Sequence, residues 1–119
     1  MISTAEDLVR FGAALNRGML LKPETTAMMY RSQLEGLKRF NEKGPPGDLD
    51  FEQGLIWRIF KDPSGRTFIN FCGTVKGFNA CLVNYPDADL VVALLGNGDE
   101  TSPGRTPTVN FAQFFLQTP

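Results

Sequence analysis

The chain has 119 residues, 42% of them apolar and ten of them phenylalanine, with 12 Lys and Arg against 13 Asp and Glu and no histidine. That length suits one domain burying roughly two-thirds of the surface its unfolded form exposes, and the composition excludes a disordered or fibrous chain. Balanced charge without a basic stripe argues against nucleic acid as a partner; with no apolar run near the ~20 residues that span a bilayer and no secretion signal in Met1 to Thr4, the chain as written is expected to stay cytoplasmic, off the membrane.

Ser3-x-x-Glu6 reads as a capping box, and Leu8, Phe11, Gly12 and Leu15 follow at helical spacing, which predicts a helix over about 4–17 stopped by Gly18. Pro23 and Glu24 suit the first turn of a second helix over about 23–31. Ser32 to Asp50, with Gly36, Gly44, Pro45, Pro46 and Gly47, reads as a connecting loop. A strand over about 54–61 carries Leu55, Trp57 and Ile59 on one face, and Asp62-Pro63-Ser64-Gly65 suits a type I turn into a strand over 66–73. Strands over 77–85 and 90–95 follow, joined by a turn at Pro86 to Asp89. The last is apolar on both faces and needs cover on both. After a Gly, Asp, Ser and Pro rich loop, Thr106 caps and Pro107 starts a helix over 107–117 whose phenylalanines are expected to face the core. The order is that of a single α+β domain over 1–119, a four-stranded antiparallel meander with helices packed on it.

Cys72 and Cys81 are too few for a disulfide scaffold and wrongly spaced for a zinc ribbon or a redox Cys-x-x-Cys pair. With a hairpin closed near Thr74 to Gly77 they lie diagonally, ~7–8 Å apart, a separation that strains a bridge. Two reduced, buried thiols are expected. The absence of histidine rules out a Ser-His-Asp triad and a Cys-His pair in this chain, and no metal or cofactor is expected. Ser3, Ser32 and Ser102 are followed three residues on by Glu6, Glu35 and Arg105, so none begins a Ser-x-x-Lys. Gly96-Asn97-Gly98-Asp99 lacks the ending of a P-loop and reads as a plain turn; Asp87 and Asp89 read as turn formers rather than calcium ligands.

Asn70-Phe71-Cys72-Gly73-Thr74-Val75-Lys76-Gly77-Phe78 carries the clearest family signal. It resembles the strand that reads His-x-Gly or Lys-Thr-Gly, three residues, then Gly-Phe in serine β-lactamases, penicillin-binding proteins and related esterases. Further segments match in the same order: Ser3 to Phe11, Leu20 to Thr25, Gly54-Leu55-Ile56-Trp57, and Val91 to Asn97. The resemblance covers nearly the whole chain and implies the C-terminal part of that family's α/β catalytic domain, with the Ser-x-x-Lys nucleophile upstream. It places Phe71, Cys72, Gly73 and Thr74 at the substrate and gives the Thr74 backbone amide the role of an oxyanion donor. Phe71 stands where the family has His or Lys and offers neither proton nor charge.

The leading expectation is therefore a β-lactamase-related serine hydrolase fragment that is inactive alone. It would take a small acyl substrate, a β-lactam, peptide or ester, only when complemented. The alternative is a non-catalytic domain that binds or associates through an apolar surface containing Phe71, Trp57 and Phe78. An uncovered face of the 90–95 strand would favour a homodimer or the missing N-terminal half as partner. Lys76, near the cleft mouth, reads as a solvated loop lysine.

Overall fold

The computed structural model describes residues 2–34, 51–99 and 104–117. Helices α1 (Ala5–Asn16) and α2 (Pro23–Tyr30) come first, then β1 (Glu52–Gln53), β2 (Arg58–Lys61), β3 (Thr67–Val75), β4 (Phe78–Tyr85) and β5 (Leu90–Asn97), and last α3 (Arg105–Leu116). The strands form one antiparallel sheet in chain order. Most of the loop predicted for Ser32 to Asp50 lies outside the described residues.

The cap of α1 is Thr4 and not Ser3: Thr4 Oγ1 accepts the Asp7 amide at 3.1 Å. Ser and Thr are both favoured N-cap residues, so two of them in a row leave the boundary open by one position. Gly18, at φ +65°, ends the helix as expected. Gly12 lies so close to β5 that a Cβ there would sit 2.7 Å from Val91 Cγ1, which brings the α1 backbone onto the sheet.

The sheet has five strands rather than four. The predicted strand over 54–61 begins only at Arg58, because Gly54 to Trp57 turn back on themselves: the Gly54 amide donates to the Trp57 carbonyl at 2.8 Å, pairing β1 with β2. This turn buries Trp57 and leaves Leu55 exposed, breaking the predicted common face of Leu55, Trp57 and Ile59. A Cβ on Gly54 would lie 2.4 Å from the Met29 carbonyl oxygen, so the glycine permits the turn to dock on the end of α2.

Side chains alternate across the sheet. On one face Phe60, Phe68, Cys81, Val83, Tyr85 and Val92 pack against Ala112 and Val109 of α3. On the other, Trp57, Ile69 and Leu82 pack with Leu15 of α1 and with Met29 and Tyr30 of α2. β5 is apolar on both faces because α1 covers Val91 and Ala93 while α3 covers Leu90 and Val92. Among the described residues, Leu90 to Ala93 thus have the two-sided cover that the sequence calls for.

Asn84, fully buried on β4, exchanges two 2.8 Å hydrogen bonds with Asn16 of α1 and reaches Tyr30 of α2 at 3.4 Å, locking both helices to the sheet. α3 starts at Arg105, two residues before the predicted boundary, with Gly104 as its cap and no side-chain cap bond. Its predicted core phenylalanines face outward: Phe111, Phe114 and Phe115 are exposed, and Thr108 and Ala112 are buried instead. Small residues on the inner stripe let α3 lie close to the sheet.

Candidate active site

The β3–β4 hairpin closes through Lys76 and Gly77, with Val75 opposite Phe78 and Gly77 at φ +79°. The Asp99 carboxylate accepts the Gly77 amide, and Asn79 Nδ2 donates to the Gly98 carbonyl at 3.0 Å. The hairpin tip is thus tied to the chain leaving β5. Lys76 is exposed on this turn.

The two-residue turn sets Cys72 directly opposite Cys81, with Cα atoms 4.0 Å apart, not diagonally as expected from a hairpin closed by the four residues Thr74 to Gly77. The two sulfurs are bonded, so the expectation of reduced thiols is overturned by this register.

Such a close Cα approach marks a non-hydrogen-bonded pair, and pairs alternate along an antiparallel ladder. Gly73 therefore bonds to Ala80, whereas Thr74 opposite Asn79, like Cys72, turns its N–H and C=O away from β4. On that side β2 stops with Arg58 opposite Asn70. Among the described residues no strand pairs with β3 from Phe71 to Val75, and the Thr74 amide faces an open sheet edge.

Side chains divide the four predicted site residues between two faces. Phe71 is 52% exposed on the face of α1 and α2, with Val75 and Phe78 exposed farther along that face. Gly73 lies between Phe71 and Val75, and a Cβ there would meet no atom within 4 Å. Cys72 points to the α3 face, so it cannot share a pocket with Phe71; Thr74 is exposed on that same face. Trp57, proposed from sequence as part of an apolar binding surface, is only 4% exposed and packs edge-on to Tyr30.

Among the described residues no serine is poised as a nucleophile near this strand. Ser64, at the opposite end of β3, donates its hydroxyl to Asp62 Oδ1 at 2.6 Å. Burial pushes the Asp62 carboxyl up, but hydrogen bonds from Ser64, the Arg66 amide and Gln113 outweigh it and hold the group below its ordinary range. That makes Asp62 a poor base and Ser64 a turn residue. Among the described residues no group of three or more His, Cys, Asp or Glu side chains could hold a metal ion, and no helix is long and apolar enough to cross a membrane.

The fold and the glycine-marked hairpin agree with a comparison against protein families: the model described as "Beta-lactamase" matches residues 1–112. The chain belongs to the β-lactamase family. No curated protein matches it. The family match reaches into α3, so this β-lactamase-family chain carries it across both faces of the sheet as well as the strand bearing Phe71 to Thr74. Two residues that shape the strand escaped sequence reasoning, Asn70 behind it and Asp99 at its tip. Asn70 was detectable in principle, since Phe68, Asn70 and Cys72 alternate and place an amide in an apolar row.

Proposed function

We propose that the chain is the C-terminal part of a serine hydrolase domain of the class C β-lactamase, penicillin-binding and esterase type. Its parent reaction would be acyl transfer through a serine ester, on a β-lactam, a peptide or a small ester. The observation that carries this is the open edge of β3, where the Thr74 amide is unpaired in the sheet and adjoins the uncrowded Gly73. An amide held rigidly by its strand suits an oxyanion donor, a role set by backbone geometry and not by the side chain. Alone the chain is inactive, because it has no Ser-x-x-Lys and because Phe71 offers neither proton nor charge. A fluorescent penicillin followed by intact-mass analysis is expected to leave no acyl adduct. A stoichiometric adduct on one serine would overturn the inactivity.

The exposed row Phe71, Val75 and Phe78 favours a second role as an association surface, for a second copy or for the missing N-terminal half. With the chain alone, light scattering is expected to show self-association, or an exposed-hydrophobe dye to bind. A monodisperse monomer that binds no dye contradicts this.

A further inference from the structure

Asn70 occupies an apolar position: it is 1% exposed on the α3 face of β3, between Phe68 and Cys72 in the alternation. Its Nδ2 donates to Cys72 Sγ at 3.2 Å and reaches Cys81 Sγ at 4.0 Å, while its buried Oδ1 has no hydrogen-bond partner among the described residues. A buried carbonyl left unsatisfied is costly and uncommon in native folds. The group that faces the sulfurs is the Nδ2 donor, and such a donor bonds a charged thiolate about twice as strongly as a neutral sulfur.

We infer that Asn70, Cys72 and Cys81 form a reversible thiol–disulfide switch behind the site strand, in which Asn70 favours the reduced state because its Nδ2, already aimed at both sulfurs, donates more strongly to a Cys72 thiolate than to a disulfide sulfur. The two sulfurs are not equivalent. Cys81 is 0% exposed and Cys72 is partly exposed, so an incoming thiolate reaches Cys72. A low-molecular-weight thiolate attacks Cys72 Sγ and forms a mixed disulfide; the Cys72–Cys81 bond breaks, its electron pair leaves on Cys81 Sγ, and that sulfur takes a proton. A second thiolate then attacks the small-molecule sulfur of the mixed disulfide, releasing the oxidised small disulfide and a Cys72 thiolate to which Asn70 Nδ2 donates. Two electrons pass from two small thiols to the protein. The switch stands whether or not a nucleophile is ever brought to Thr74.

The test places the full chain in buffers of reduced and oxidised glutathione, quenches with acid, alkylates, and maps masses, with circular dichroism confirming that the fold persists. The expected result is one reversible two-electron transition of folded protein, a transient glutathione adduct on Cys72, and a disulfide favoured about fivefold more in Asn70→Leu, as one lost buried hydrogen bond implies. Asn70→Ala serves if the leucine variant fails to fold and is expected to shift the same way. The switch is refuted if the pair stays oxidised until the chain unfolds, if the adduct maps to Cys81, or if either folded variant leaves the equilibrium unmoved or shifts it toward the dithiol.

Discussion

Replacing Phe68 with alanine is expected to cost about 3–5 kcal/mol, the range for deleting a buried aromatic from a packed core. Phe68 is 3% exposed and stands at the centre of a ring series: Phe60 stacks on it at 5.4 Å and 12°, and Tyr85 lies 5.2 Å away on the next strand. These contacts join β2, β3 and β4 on the face that α3 covers, so the cavity opens where three strands and a helix meet. Against the about 5–15 kcal/mol that holds a domain folded, the loss corresponds to a fall in Tm of roughly 10–20 °C. Phe114→Ala is the control. Its ring is 76% exposed, and its removal is expected to change stability by less than about 1 kcal/mol. Urea denaturation of the two variants side by side checks both; equal effects would contradict the assignment of the core.

The second large effect is expected at Asp62. One carboxylate oxygen accepts the Ser64 amide at 2.9 Å, the Ser64 hydroxyl at 2.6 Å and the Arg66 amide at 3.0 Å, and the other accepts Gln113 Nε2 of α3 at 3.2 Å. Asp62 thus closes the β2–β3 turn and fastens it to α3. Bonds to a charged group contribute about 1.5–3 kcal/mol each, though not additively, and Asp62→Ala is expected to cost about 3 kcal/mol near neutral pH. Because the folded state holds this carboxyl below its usual range, its contribution is fully present above the unfolded pKa of about 3.9 and is lost as pH falls through the lower folded value. The gap between wild type and Asp62→Ala should therefore close in acid.

Tyr85 shows the opposite dependence. Burial first, and the Asp62 charge second, push its phenol up to about 12. Its contribution is present below the unfolded value near 10 and is lost as pH rises from there toward 12. In Asp62→Ala the tyrosine should ionise at lower pH, as read by ultraviolet absorbance. A gap between wild type and Asp62→Ala that stays the same from acid to neutral pH, or an unchanged Tyr85 titration, would refute the coupling.

Much of this fold is legible in the residues because local signals and burial agree. Gly18, Pro23, the Asp62 turn and the two-sided apolar strand of β5 all act as their chemistry suggests. The misses have a common cause, which is tertiary contact overriding local pattern. Leu55 and Trp57 fit an alternating strand, yet the close approach of Gly54 to the Met29 carbonyl turns the chain there and creates β1. Phe111, Phe114 and Phe115 suit a core, but α3 lies close to the sheet through Thr108 and Ala112.

At the site, the glycine spacing identifies the strand, while the hairpin register decides the chemistry. Moving the turn from Thr74–Gly77 to Lys76–Gly77 shifts the pairing enough to bond Cys72 to Cys81. The same register turns the Thr74 amide outward. Sequence order alone carries no information on which of two nearby turns closes a hairpin.

This β-lactamase-family chain is proposed to keep the site strand without a nucleophile to serve it. Hydrolysis of a chromogenic cephalosporin and of a short-chain ester by the purified chain tests it most directly. The expected rate equals that of buffer alone for both substrates; turnover that a single serine substitution abolishes would contradict the account.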